Sequence, residues 1–136
     1  MINVLVISQS SPFDDMHIRD ALDMTLIFAA VDQNISWLFS GPAVLALKRN
    51  QNPNTLGIKD FFKNIKTLEI YDVENIYVCE KSLIDYGLSK SELLIEANIV
   101  NFNAQKQLIH NQQHVVTLWA LYIFFQNHWI TTVPTA

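Results

Sequence analysis

Cysteine occurs once in the 136 residues, at position 79. A single thiol closes no disulfide within the chain and leaves too few ligands for a Cys-rich zinc module; it fits a reducing, cytoplasmic setting. Glycine is nearly as scarce, with three residues, and none of them lies between Ser8 and Asp15. The turn after the first apolar segment therefore lacks the close backbone approach that a dinucleotide or P-loop phosphate site requires. Positive charge is short as well: nine Lys and Arg stand against thirteen Asp and Glu, a formal net charge of -4. That balance argues against a surface that grips nucleic acid directly. Long apolar runs are missing too. Val115 to Phe125, broken only by Thr117, falls short of the ~18–20 residues of a membrane span. Met1 to Ile7 has neither the basic region nor the small-residue cleavage site of a signal peptide. What remains is one compact, mildly acidic domain, apolar over half of its residues, enough for a core with some surface left to bury in an assembly.

The apolar residues fall into short runs separated by polar turns. Ile2 to Ile7 is apolar without alternation apart from Asn3, the pattern of a strand covered on both faces, and Ser8-Gln9-Ser10-Ser11-Pro12 ends it. A helix is expected from about His17 to Val31, capped by Asp14 or Asp15, with Ile18, Ala21, Leu22, Leu26 and Ala29 at helical spacing. Ile35 to Phe39 reads as a second strand, and Ser40-Gly41-Pro42 opens a helix through about Lys48. Arg49 to Thr55 is loop-like, and Ile58 to Leu68 places Ile58, Phe61, Phe62, Ile65 and Leu68 on one helical face. Ile76 to Cys79 is a third strand, followed by a short helix from Glu80 to Tyr86 that Gly87 stops. Leu93 to Val100 reads as a strand, Phe102 to His110 as a helix and Val115 to Trp119 as a final strand. Strands alternating with helices predict a single-domain α/β fold: a mostly parallel sheet of about five strands, helices on both faces and right-handed crossovers. In such a sheet chemistry gathers at the carboxyl ends of strands. That selects Ser8 to Asp15, Ser40-Gly41-Pro42 and Cys79.

Cys79 is the sharpest of these. It ends one strand and opens the next helix, where unpaired N–H groups favour a thiolate. Lys81 would help and Glu80 oppose. A cysteine-based phosphatase would need an arginine to bind the oxyanion, and Lys81 to Gly87 contains none. A persulfide carrier needs only the sulfur and some room. The same position also suits a cysteine that merely packs. A receiver domain would place an aspartate where Cys79 stands, so Asp14 and Asp15 read as helix caps. His17, His110, His114 and His128 have no partners at metal-ligand spacing, and no serine sits in a nucleophile elbow, so no metal site is expected. Arg19, Asp20 and Asp23 share one helix and read as a solvated face, with Arg19 near enough to the strand ends to meet an anion or a partner.

The stretch Tyr71-Asp72-Val73-Glu74-Asn75-Ile76-Tyr77-Val78-Cys79-Glu80-Lys81-Ser82-Leu83-Ile84-Asp85-Tyr86-Gly87-Leu88 resembles the corresponding segment of the TusC/DsrF family. Arg19-Asp20-Ala21-Leu22-Asp23, Val31-Asp32-Gln33 and Phe39-Ser40-Gly41-Pro42-Ala43-Val44 are similar to it too. The resemblance runs from Ile2 to about Leu118. It implies a DsrE/DsrF-like fold and a TusC-like, non-catalytic structural subunit of a sulfur-relay complex that supports 2-thiouridine formation at the tRNA wobble position. The partners it implies are TusB- and TusD-like subunits in a heterohexamer, with a TusA-like sulfur donor and a TusE-like acceptor engaged indirectly. No cofactor, no direct nucleic acid and no membrane belong to this expectation. In that family the D-type subunit carries a persulfide on a cysteine placed like Cys79, which makes Cys79 the candidate sulfur carrier. A DsrE/TusD-like carrier and a DsrF-like subunit of sulfur oxidation therefore stay open as alternatives. Residues 1–118 form the expected domain, and 119–136 a C-terminal extension. The extension either lacks a fold of its own or packs its five aromatics on the body or a neighbour.

Overall fold

The computed structural model describes residues 2–9, 11, 17–31, 33–49, 65–71, 73–118, 122–125 and 128–131. Strand β1 (Asn3–Ser8) leads to helix α1 (His17–Ala30) and strand β2 (Asn34–Phe39). A 3-10 helix, Gly41–Leu47, a one-turn helix α2 (Thr67–Ile70) and strand β3 (Ile76–Cys79) follow. Then come helix α3 (Glu80–Asp85), strand β4 (Asn98–Val100), helix α4 (Phe102–His110) and strand β5 (His114–Leu118). Strands β6 (Tyr122–Phe125) and β7 (His128–Thr131) complete the described chain. The expected cap at Asp14 or Asp15, most of the loop from Arg49 to Thr55 and residues 58–64 of the expected helix lie outside the described residues.

The sheet order is β4-β3-β2-β1-β5-β6-β7. The first five strands in that order pair in parallel, as the alternation of elements predicts. The last two add antiparallel to β5 and to each other. The handedness of the crossovers decides which face each helix covers. From β1 to β4 the chain steps one way across the sheet, and its connecting segments pack on one face. There Val4, Val6, Ile35, Trp37, Phe39, Ile76 and Val78 meet Ala21 and Leu22 of α1, Val44 and Leu47 of the 3-10 helix and Leu83 of α3. From β4 the chain returns past β1 to reach β5, so a crossover of the same hand carries α4 to the opposite face. Leu108 of α4 packs there against Leu5, Ile7 and Leu38. The unbroken apolar run from Val4 to Ile7 in β1 is thus explained: alternate residues feed two separate cores.

Two local readings differ from the sequence expectation. Leu93 to Val100 is a strand only at its end, over Asn98–Val100. Its earlier part bends at Leu94 and Ile95 and buries Leu93, Ile95 and Ala97 alternately. Its hydrogen bonds, however, go to the end of the 3-10 helix: Leu94 N–H donates to the Leu47 carbonyl at 2.6 Å, and Arg49 N–H to the Glu92 carbonyl at 2.7 Å. Alternation reports a face buried, and it does not say which backbone supplies the partner. The segment opened by Pro42 is a 3-10 helix rather than an α-helix. It begins at Gly41 with φ of +58°, a left-handed conformation that only glycine adopts cheaply.

Candidate functional site

Three parallel strands end side by side, and the elements that follow them converge on one thiol. Cys79 is the last residue of β3 and the N-cap of α3, with extended backbone angles that turn the chain from sheet to helix. Phe39 of β2 is in register with Val78 and Val100 of β4 with Cys79 itself, so the turn at Gly41 and the start of α4 flank the thiol. Cys79 is only 3% exposed. It lines a cavity of about 150 Å³ together with Glu80, Lys81, Ile84, Asn101, Phe102 and Gln105. Ile84 and Phe102 are 72% and 61% exposed, an unusual position for large apolar side chains, and they form an apolar border to the opening.

Burial pushes the Cys79 thiol up, but the groups around it outweigh that push and hold it below its ordinary value of 9.0. The Ser82 hydroxyl, the Ser82 N–H, the Gln105 amide and the Lys81 N–H all favour the charged form. None of them is a tight cap: the cysteine side chain makes no capping hydrogen bond to the helix. The effect is that of several donors facing one sulfur. Ser82 is held by the Gly41 N–H, which donates to its Oγ at 2.8 Å. Gln105 is held by its Nε2, which donates to the Val100 carbonyl at 3.1 Å. Helix α4, which carries Gln105, is itself capped by Asn101, whose side chain accepts from Ala104 N–H at 2.9 Å. Lys81 is diverted: its Nζ lies 2.7 Å from an Asp85 carboxylate oxygen, an exposed pair that raises the lysine above its usual range. The help expected of Lys81 therefore comes mainly through its backbone N–H.

Of the other residues singled out by sequence, Asp20, Asp23, His110 and His114 do not line this cavity. Asp20 and Asp23 are exposed on α1, and the Arg19 side chain lies outside the description. His110 closes α4 and His114 opens β5, so the two share no helix. Among the described residues no three His, Cys, Asp or Glu side chains gather as a metal-binding group. A larger cavity of about 430 Å³ lies at the opposite end of β3. It is lined by Leu68, Val73, Ile76 and Ile95 together with Glu69, Glu74 and Glu96, with no thiol among them. Size alone would choose that cavity, whereas the single thiol lines the smaller one.

Residues 3–118 match the model of the DsrE/DsrF-like family. The chain belongs to that family. A protein named Protein TusC homolog from Pseudomonas aeruginosa is 30% identical over 116 residues, which cover 85% of this chain and 98% of that protein. The Intracellular sulfur oxidation protein DsrF of Allochromatium vinosum is 33% identical over 90 residues, 66% of either chain. Among solved structures, the ychN protein from E. coli superposes with a TM-score of 0.76 at 16% identity, covering 87% of this chain and all of the other. That likeness concerns the fold. As a DsrE/DsrF-like protein the chain is a member of a sulfur-relay family, and no helix among its described residues is long and apolar enough to cross a membrane. Ser82 and Gln105 were not singled out from the sequence as functional. Ser82 had a signal, since a residue three positions after a helix-opening cysteine returns to the same face. Gln105 had none, because only the register of β4 beside β3 brings α4 to the thiol.

Proposed function

We propose that the chain is a TusC-like subunit of a cytoplasmic sulfur-relay complex supporting 2-thiouridine formation at the tRNA wobble position, and that its role there is chiefly structural. The observation that carries this reading is the match to a TusC homolog over nearly that protein's whole length. The partners are TusB- and TusD-like subunits in a heterohexamer, with TusA-like donor and TusE-like acceptor proteins meeting the complex rather than this chain alone. The net charge of -4 agrees with a subunit that acts on tRNA indirectly. Co-expression with TusB- and TusD-like proteins tests it: the three should co-purify at fixed proportions, and a chain that always elutes alone removes the proposal.

A second reading is favoured by the donors around Cys79, which suit a sulfur carrier better than a packing residue. In it the Cys79 thiolate attacks the terminal sulfur of a donor persulfide. A new S–S bond forms at Cys79, the donor's S–S bond breaks, and the donor leaves as a thiolate. Intact mass after incubation with a persulfidated donor protein should show one added sulfur atom, absent in Cys79→Ser. No gain with a donor that loads another acceptor leaves the purely structural role.

A further inference from the structure

Ser82 is 6% exposed and sits in the first turn of α3 beside Cys79, yet its hydroxyl is not spent as a helical serine commonly spends it. Such a serine often donates back to the carbonyl four residues earlier. Here the oxygen accepts instead from Gly41 N–H at 2.8 Å, across 41 positions of sequence. That N–H is one of the donors that the start of a helix leaves unpaired, and Ser40, the N-cap of the 3-10 helix, makes no side-chain cap bond. Ser82 thereby completes the turn after β2 from a different element. A hydroxyl has a single proton to give. The Ser82 hydroxyl donates to no oxygen or nitrogen acceptor among the described residues, and Ser82 is the third residue of the helix whose N-cap is Cys79, the position from which a side chain reaches back to the cap.

We propose that Ser82 is a positioning residue for Cys79: Gly41 anchors its oxygen, which aims its proton at the sulfur and holds Cys79 ready as a thiolate. The turn after β2 and the thiol after β3 then form one unit, Gly41 N–H to Ser82 O–H to Cys79 sulfur. This also gives Gly41 a purpose beyond the turn. Its positive φ presents the N–H to Ser82, and a Cβ built there would stand 3.6 Å from the Gln9 carbonyl oxygen. The arrangement deepens the carrier reading of Cys79, on which its use in sulfur transfer rests, but the thiolate itself is tested separately.

Cys79 is the only cysteine, so alkylation by iodoacetamide followed by intact mass reports on it alone. The thiolate attacks the methylene carbon, an S–C bond forms and iodide leaves; the thiol proton has already gone to solvent. Of the residues lining the pocket, only Glu80 and Lys81 are charged, and Lys81 is engaged by Asp85. Their contribution stays constant when Ser82 is changed. In the full chain, Ser82→Ala should raise the pH midpoint of alkylation by about one unit and slow the reaction at neutral pH about tenfold. The plateau rate at high pH, set by access to the pocket, should not change. Ser82→Thr keeps the hydroxyl and should keep the midpoint. An unchanged midpoint in folded Ser82→Ala overturns the proposal, as does a change confined to the plateau, which marks a packing role. Circular dichroism reports folding, and Ser82→Val set against Ser82→Thr, nearly the same shape without the hydroxyl, gives the same comparison if alanine disturbs the helix. A midpoint that shifts as stated in a chain that takes up no sulfur retains the role of Ser82 and removes the carrier reading.

Discussion

Burial and local hydrogen bonding pull Cys79 in opposite directions, and the donors win. A buried thiol without them would be a poor nucleophile at neutral pH, because desolvation penalises the charged form. With them, the folded state gives up its proton more readily than the unfolded chain does. The sign of the stability effect follows by linkage. Below the folded value the thiol is protonated in both states and contributes nothing. As pH rises through that value towards the ordinary 9.0, the folded state is stabilised, fully so above 9.0; the contribution is lost as pH falls again through the folded value. Urea denaturation of the wild type and Cys79→Ser over a pH series should therefore show a stability difference that moves in favour of the wild type with rising pH. A difference that stays constant across the series sinks this account of the thiol.

At the level of elements, legibility depended on whether a segment's partners were local. β1 is plain in the sequence because residues covered on both faces must be apolar throughout. The short helix at Glu80–Asp85 is equally plain, because Gly87 supplies the left-handed residue, φ +66°, that ends it. The segment after Leu93 was not, because its buried alternation answers to the helical core while its backbone bonds go to Leu47 and Arg49. The expected helical face from Ile58 shows only its end among the described residues, where Ile65 and Leu68 are buried. The candidate site divides in the same way. Cys79 is found from strand-end logic alone. Gly41 belongs to a strand-end turn that the same logic selects, but its bond to Ser82 becomes visible only when β2 lies beside β3 in register.

For the whole molecule, the reversal of strand order between β1 and β5 creates two edges of different kind. One edge is β4, three residues long, which leaves little unpaired backbone for another chain to use. The other would be β5, five residues long, were it not continued by β6 and β7. The family match ends at residue 118, the last residue of β5, and the hairpin follows immediately after that boundary. Register pairs Val116 with Phe125, Thr117 with Phe124 and Leu118 with Ile123, so the hairpin takes up the hydrogen-bonding edge of β5. Phe124→Pro removes a backbone N–H from the strand beside β5 and disfavours its pairing. The fold should survive, because β5 remains paired with β1 from Val4↔His114 to Ile7↔Thr117. In hydrogen exchange read by NMR, the β5 amides that point towards β6 should then lose protection, while the alternate set pointing to β1 keeps it. Equal protection in both proteins would show that the hairpin does not close the edge of β5, and loss of both sets would show that β1 alone cannot hold that strand.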